Sequence, residues 1–565
     1  MNLNLSPAQV EILESRIAPA TLVVNVLTDP SSFTVGQLSL REAIQDAIGH
    51  GSTTIVFKPG LHGDIDLGTG IGLGALSIAN ENLTIIGPGG GKVVIEPAIF
   101  TIDQLISVSD GSKLSLSGLT LAAGSTSSGN GGAIYSNGPL TINNCVISGS
   151  SAENGGGIYD KTSGAFVMTN SLVAFNMATS SNGGGLDVNA AGGIHITGSK
   201  IIGNNASGGE GGASLTIPSD GTGNLIVTNT LFSGNTEYDA GALGTSDGST
   251  LPTKTVITNT VVSGNTSSGT FGGTSGAFLS TSTADSVIVS GSTFSNNSSI
   301  SLGGGMYLQG PGAVSITGSH FVGNTSTGGG GIFISSSATS VSIQGTAILD
   351  NISTGEGGGI RVFASGVNLT LTGTTLAGNH ASTNGGGLYL GSNSGTTKIT
   401  VSTFSGNHAA GNAGGAYIAG SGKVSISGSR FVSNVSGALG GGLQLNSTGT
   451  QTVLSGNTIA NNSAHGDGGG LYIGSTGSFS ITSGSITGNF SAGYGGGIFI
   501  NKTVSGTIQT PAVHITGNQC EGFYEVGGGV DHELGSSGTI TMKTKYVTGN
   551  TANGKADNYY GAFVA

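Results

Sequence analysis

Residues 378–390 read GNHASTNGGGLYL, three glycines in a row just before an alternating apolar run. Glycine in regular structure is destabilising by about 0.5–1 kcal/mol relative to alanine, because the unfolded chain has more freedom to lose. One such run reads as a loop. This chain repeats it: GGGIY (155–159), GGGLD (183–187), GGGMY (303–307), GGGIF (329–333), GGGIR (357–361), GGGLY (385–389), GGGLQ (440–444), GGGLY (468–472), GGGIF (495–499) and GGGVD (527–531), with weaker copies GGAIY (131–135), SGAFL (275–279) and GGAYI (414–418).

A second marker keeps the same beat. An aliphatic or aromatic residue followed three places later by Asn recurs at Asn176, Asn205, Asn235, Asn265, Asn297, Asn324, Asn351, Asn379, Asn407, Asn434, Asn462, Asn489, Asn518 and Asn550. From Asn297 to Asn489 the spacings are 27, 27, 28, 28, 27, 28 and 27 residues. The consensus unit is V-x-I-x-G-S-x-F-x-G-N, a polar gap, then GGG-I-Y-I. It holds three short segments of period-2 alternation, the signature of strands rather than helices. Leucine-rich repeats share the length but need a Leu-x-x-Leu-x-Leu pattern that is missing here. The pattern predicts an all-β fold, a right-handed parallel β-helix of roughly 17–19 coils. At about 4.8 Å per coil that is a rod about 80–90 Å long. In such a stack a turn with positive φ recurs in every coil, and glycine suits both the conformation and the close stacking. The asparagines are expected to form an internal ladder, bonding to one another and to turn backbone.

Composition agrees with a solenoid and removes other classes. Of 565 residues 108 are glycine, 8% are charged, 11 are proline and none is tryptophan. No strict Gly-X-Y period exists, which excludes collagen. Aliphatic pairs such as Val314/Ile316, Val424/Ile426 and Val513/Ile515 keep in step, which a disordered linker has no reason to do. The net charge is −12 and the 16 Lys plus Arg are scattered, so a nucleic-acid partner is not expected. No apolar run is long enough for a transmembrane helix, and no ordinary signal peptide is visible. Cys145 and Cys520 fall about 13 coils apart in this scheme, too far for a disulfide.

The ends differ from the middle. In SLREAIQDAI (39–48), Ser39 and Glu42 make a capping-box pattern, and Leu40, Ala43, Ile44, Ala47 and Ile48 form one apolar face. This predicts a helix over 39–48 inside an N-terminal cap (21–60), with Gly49 and Gly51 as its stop and the β-helix spanning 61–565. Residues 1–20 read as a leader, sorting or docking segment, with a short helix ended by Pro19. The final NYYGAFVA (558–565) reads as strand, and an uncovered last coil invites pairing with another copy, end to end into a filament.

The paired markers GGA/GGG-[IL] and F-x-x-N, the latter as FVGN (321–324), FSGN (404–407) and FVSN (431–434), resemble the passenger repeats of chlamydial polymorphic membrane proteins and related bacterial β-helix surface proteins. The resemblance covers residues 110–550. It implies a bacterial extracellular or cell-surface location and an adhesin-like role. Those passengers are exported with an outer-membrane barrel, and these 565 residues contain no such barrel. The SLREAI…TIVF segment is similar to the N-terminal module of many bacterial extracellular β-helix domains. LESRIAPA (13–20) is similar to a leader motif of planctomycete and verrucomicrobial surface proteins.

Parallel β-helices also house polysaccharide lyases and hydrolases, which need carboxylates on neighbouring coils as acid and base or as calcium ligands. The candidates are Asp64 and Asp66 beside His62, His465 with Asp467, and Asp531, His532 and Glu533 with Glu521 and Glu525 upstream. The last cluster is the best of them, as catalytic groups or as a cation site. The competing reading is solvated turn residues on an acidic rod, and no pair repeats at coil spacing with a basic partner among the four arginines Arg16, Arg41, Arg361 and Arg430. The sequence therefore designates no catalytic residue, no metal ligand and no cofactor. His195 in IHITG and His514 in VHITG occupy the same slot and are expected to face outward.

One feature exceeds what a scaffold needs. The residue after GGG-[IL] points opposite to its apolar neighbours. This predicts an external aromatic stripe of Tyr135, Tyr159, Phe278, Tyr307, Phe333, Tyr389, Tyr417, Tyr472 and Phe499, interrupted by Arg361 and Gln444 and departing from the pattern at Asp187 and Asp531. Such a stripe either stabilises a flat sheet by ring stacking or forms a contact face for glycan, a cell surface or a neighbouring subunit. The expectation from sequence is an extracellular structural or adhesive rod, with a pectin-lyase-like polysaccharide enzyme as the alternative.

Overall fold

One coil shows how the repeat is built. Asn368–Thr372, Thr375–Ala377, His380–Ala381 and Leu388–Leu390 are short strands joined by tight turns. Thr397–Thr400, Thr403–Ser405, His408–Ala409 and Ala416–Gly420 of the next coil lie on them, parallel and with equivalent residues paired. The computed structural model continues this stacking into an all-β parallel solenoid of about 17 turns. It describes residues 20–564 apart from 30–33, 69–72, 90, 99–103, 181, 238–240, 270–272, 275, 283–284, 311, 336–337, 448–450, 475–476, 510–511, 523–525, 534–537 and 562. The leader expected over 1–20 thus lies, but for Ala20, outside the described residues.

A coil has four strands where periodicity predicts three. The extra one, such as His380–Ala381, is two residues long and follows the ladder asparagine, too short to leave a period in the sequence. The four strands generate four sheets along the rod, called here first to fourth in chain order within a coil.

The interior is a continuous apolar column. Leu369 and Leu371 of the first sheet, Leu376 of the second and Leu388 and Leu390 of the fourth are fully buried, and their equivalents repeat in neighbouring coils. The phenylalanines of F-x-x-N stack inside, Phe294 on Phe321 with centroids 4.8 Å apart and Phe404 on Phe431 at 4.6 Å. Each coil alone buries too little to be stable, so its neighbours supply the missing contacts.

The three glycines of GGG serve different needs. Gly385 has φ +69°, the left-handed region that costs an L-residue roughly 1–2 kcal/mol. Gly386 and Gly387 are required by close approach. A Cβ on Gly386 would lie 2.5 Å from Gly414 O, and one on Gly387 2.6 Å from Gly415 O. Their own N–H groups donate to the coil above.

The asparagines stack as an internal ladder. Asn407 Oδ1 accepts from the backbone N–H of Asn379 (3.1 Å) and from its Nδ2 (2.9 Å), while Asn407 Nδ2 donates to Leu376 O and to Asn434 Oδ1, both at 2.9 Å. The same pattern runs from Asn176 to Asn550, where Asn558 Oδ1 accepts from the Asn550 N–H. One position expected from sequence is corrected. Asn204, not Asn205, is the rung between Asn176 and Asn235. The aliphatic residue three places before a rung must be the inward one, and in IIGNN that is the buried Ile201, not the half-exposed Ile202. Asn205 is exposed and donates to Thr236 Oγ1.

A second ladder went unread in the repeat, although its Ser stands in the consensus. At the turn between first and second sheets, Thr374 N–H donates to Ser402 Oγ and Ser402 N–H to Ser429 Oγ, at 3.2 and 3.1 Å. Cys145 begins this column, its N–H donating to Ser171 Oγ. Both cysteines are buried and free.

The cap helix spans Leu40–Ala47 with both halves of the Ser39/Glu42 capping box formed, and it packs on the first coils. The solenoid already starts before it, since Ala20–Val24 pairs parallel with Ser52–Phe57. Arg41 ties the cap down. Its guanidinium pairs with Asp29 at 2.7 and 2.8 Å and donates to the carbonyls of Leu73, Gly74 and Ala75.

Candidate binding face

The fourth sheet carries one outward column along the rod. Register puts Phe278, Tyr307, Phe333, Arg361, Tyr389, Tyr417, Gln444, Tyr472, Phe499, Asp531 and Tyr560 in line, each paired with the next. Tyr135, Tyr159 and Asp187 continue it toward the N-terminus. Because strands in adjacent coils are about 4.8 Å apart, rings at equivalent positions meet. Tyr389 and Tyr417 stack at 5.1 Å, Tyr472 and Phe499 at 5.2 Å, and Tyr135 and Tyr159 at 5.6 Å. Tyr307 meets Phe278 and Phe333 edge to face.

The column is a floor rather than a free ridge. Tyr135, Tyr159, Phe278, Tyr307, Tyr389, Tyr417 and Tyr472 are half-buried. Phe333 and Phe499, expected to be external, are 3% and 5% exposed, which corrects that expectation for these two. At some coils the residue just before the glycine run supplies a side wall, as Glu356, Asp467 and Tyr494 do. Glu210 lies over the floor position of Gly244, where a Cβ would meet its carboxylate at 2.2 Å. Burial pushes the Tyr389 hydroxyl well above its usual range, and the Glu356 carboxylate beside it acts the same way. Alternation reveals which side chains point outward, but the wall depends on a turn that keeps no fixed residue type.

Two depressions open along this face. One, of about 470 Å³, is lined by Glu356, Arg361, Phe363, Tyr389 and Gly391 among others. Arg361 pairs with Glu356 at 2.9 Å, and its guanidinium sits 5.4 Å from the Phe333 ring centre and 5.6 Å from that of Phe363. The other, of about 190 Å³, lies near the C-terminal end and brings Asp467, Asp531 and Glu533 together with Tyr494, Phe499 and Tyr560.

The carboxylates picked from sequence fare differently. Asp64, Asp66 and His62 are exposed on the second sheet or its approach, and Glu96, paired with Asp66, has its carboxyl raised by burial and then by the charges of Asp64 and Asp66. His465 is exposed and away from the second depression, whereas Asp467 accepts a hydrogen bond from Tyr494 N–H at 2.8 Å on its wall. His532 points inward and Glu521 is exposed, so neither lines that depression, and Glu525 lies outside the described residues. The two histidines expected in one slot are on different sheets. His195 belongs to the first, and His514 to the second, through pairing of Val513–Thr516 with Gly484–Thr487. Both are exposed. Sequence reasoning missed a stacked His380–His408 pair at 4.8 Å on the third sheet. The twin NHA triplets at 379–381 and 407–409 carried its signal.

Among the described residues, no group of three or more His, Cys, Asp or Glu side chains is arranged to hold a metal ion, and no helix is long and apolar enough to cross a membrane. No family model matches the chain, and no curated protein or solved structure matches it. The resemblance to polymorphic membrane proteins rests on the repeat motifs alone.

Proposed function

We propose that this chain is an extracellular rod of a bacterial cell surface, with a structural or adhesive role exercised through the outer face of its fourth sheet. The observation that carries the reading is the aromatic column. Half-accessible rings at coil spacing, walled on one side and interrupted by a stacked Arg361–Glu356 pair, suit the apolar faces and hydroxyl edges of an extended glycan. Changing Tyr307, Tyr389 and Tyr472 together to Ser tests it. Retained fold with lost adhesion to polysaccharide-coated surfaces supports the reading; unchanged adhesion refutes it.

Self-association through the chain ends belongs to the same proposal. Tyr559 is 44% and Val564 54% exposed, and among the described residues the far edges of Tyr559–Tyr560 and Phe563–Val564 pair with no other strand, so another copy could pair there. Sedimentation across a concentration series tests this, and a strictly monomeric rod at high concentration counts against it.

The polysaccharide-hydrolase alternative has one observation in its favour, the meeting of Asp467, Asp531 and Glu533 around one cavity. Release of reducing ends from a polysaccharide panel is its test.

A further inference from the structure

We propose that the cavity ringed by Asp467, Asp531 and Glu533 is a subsite for a primary ammonium group carried on a sugar ring, so that the glycan this rod meets is a cationic amino-sugar polymer. The inference rests on the reading of the aromatic face as glycan-binding, and names the sugar class.

Asp531 stands in the aromatic column itself, paired with Phe499 on one side and Tyr560 on the other. It is 3% exposed yet lines the cavity, and no hydrogen bond or ion pair holds its carboxyl among the described residues. Burying a carboxyl without a partner is costly, and the cost is removed by a proton or by a cation. Burial raises the pKa of Asp531 to about 8, with the charges of Asp467, Asp557 and Glu533 adding to the rise. Asp467 is raised as well, first by burial, against the opposing bond from Tyr494 N–H. No Lys or Arg lines the cavity among the described residues. The carboxylates do not converge as metal ligands do. An ammonium group needs no such convergence, since it takes separate hydrogen-bond acceptors and the π faces of rings such as Tyr494, Phe499 and Tyr560. At about 190 Å³ the cavity is smaller than a drug-sized pocket, roughly 300–1,000 Å³, and fits a single sugar substituent or terminal ring. The rings of Tyr472 and Phe499 then continue the floor under the rest of the chain.

Binding the ammonium form displaces the Asp531 proton to solvent, whereas a neutral amine would take that proton itself and release none, so the release of about one proton per ligand is read at about pH 6, where the free amine is already protonated. The test is calorimetry of the full chain with a β-1,4-linked glucosamine tetramer in two buffers of different ionisation enthalpy. The N-acetylated tetramer and lysine amide are titrated in parallel, on wild type and on Asp531→Asn. The expected result is binding of the free-amine tetramer at least about ten-fold tighter than the acetylated one. Asp531→Asn, which removes a buried charge and should melt no lower than wild type, should lose both that preference and the proton release. Equal binding of the two tetramers sinks the ammonium subsite while leaving the glycan face standing. Binding of neither tetramer sinks both. Lysine amide binding as tightly as the free-amine tetramer overturns the sugar assignment, and reducing-end release that Asp531→Asn abolishes overturns a binding role in favour of hydrolysis.

Discussion

Asn204 and Asn205 are adjacent, identical in chemistry and opposite in consequence. Asn204 Oδ1 accepts from Asn176 N and Nδ2, and its Nδ2 donates to Val173 O and Asn235 Oδ1, all at 3.0 Å and all buried. Replacing it with Leu leaves the Asn176 N–H and one Asn176 Nδ2 hydrogen without partners, while the Val173 carbonyl keeps its ladder bond to the next coil. At roughly 1–3 kcal/mol for each buried orphan, the loss is on the order of 2–6 kcal/mol. Asn205→Leu removes one exposed bond to Thr236 Oγ1 and should change stability by no more than about 0.5 kcal/mol. Because a solenoid unfolds in segments, hydrogen exchange of the coils around 170–240 is the assay, with a denaturant melt beside it. Faster exchange confined to those coils in Asn204→Leu, and none in Asn205→Leu, is the expected outcome. Equal effects of the two substitutions would refute the assignment of the ladder.

Other perturbations follow from single positions. Asp160 points into the core with neither carboxyl oxygen hydrogen-bonded, and its neighbour Ser136 donates instead to Gly138 O. Burial raises its pKa from 3.8 to about 8, so the folded state holds a proton that the unfolded state has lost. Stability therefore falls as pH rises from about 4 to about 8, and Asp160→Asn should flatten that slope in melts across this range. Val401 sits at φ +50° where Asn144, Asn170, Asn229 and Asn259 occupy equivalent turns, so Val401→Asn should stabilise by about 1 kcal/mol in denaturant titration. Arg41→Met takes from Asp29 its cation, leaving it the bond from Gly68 N–H, and strips three carbonyls at the cap of their donor; it should cost roughly 3–5 kcal/mol, read as early exchange of the first coils.

How far the sequence could be read depended on what repeats. Stacking multiplies any feature that each coil needs, so the inward aliphatics, the positive-φ glycine and the ladder asparagine stood out. Features that coils do not share stayed hidden. Choosing between Asn204 and Asn205 needed the inward phase of Ile201, which two adjacent isoleucines obscure. The two-residue third strand has no period to detect. Aromatic residues could be assigned outward by alternation, yet their covering by Glu356 or Tyr494 comes from turns of variable composition. The meeting of Asp467 with Asp531 depends on a wall residue of one coil leaning toward the floor of another two coils on, which linear spacing does not express. The two histidine motifs misled because VHITG and IHITG are local copies placed on different sheets.

The central functional claim is that ligand lies along the fourth sheet. Hydroxyl-radical footprinting of tyrosines, with and without a saturating polysaccharide that the rod retains, tests it most directly. Protection of Tyr307, Tyr389, Tyr417 and Tyr472, with the half-buried Tyr546 unchanged, is the result this account predicts. Protection at Tyr546 alone, or equal protection of every tyrosine, would contradict it.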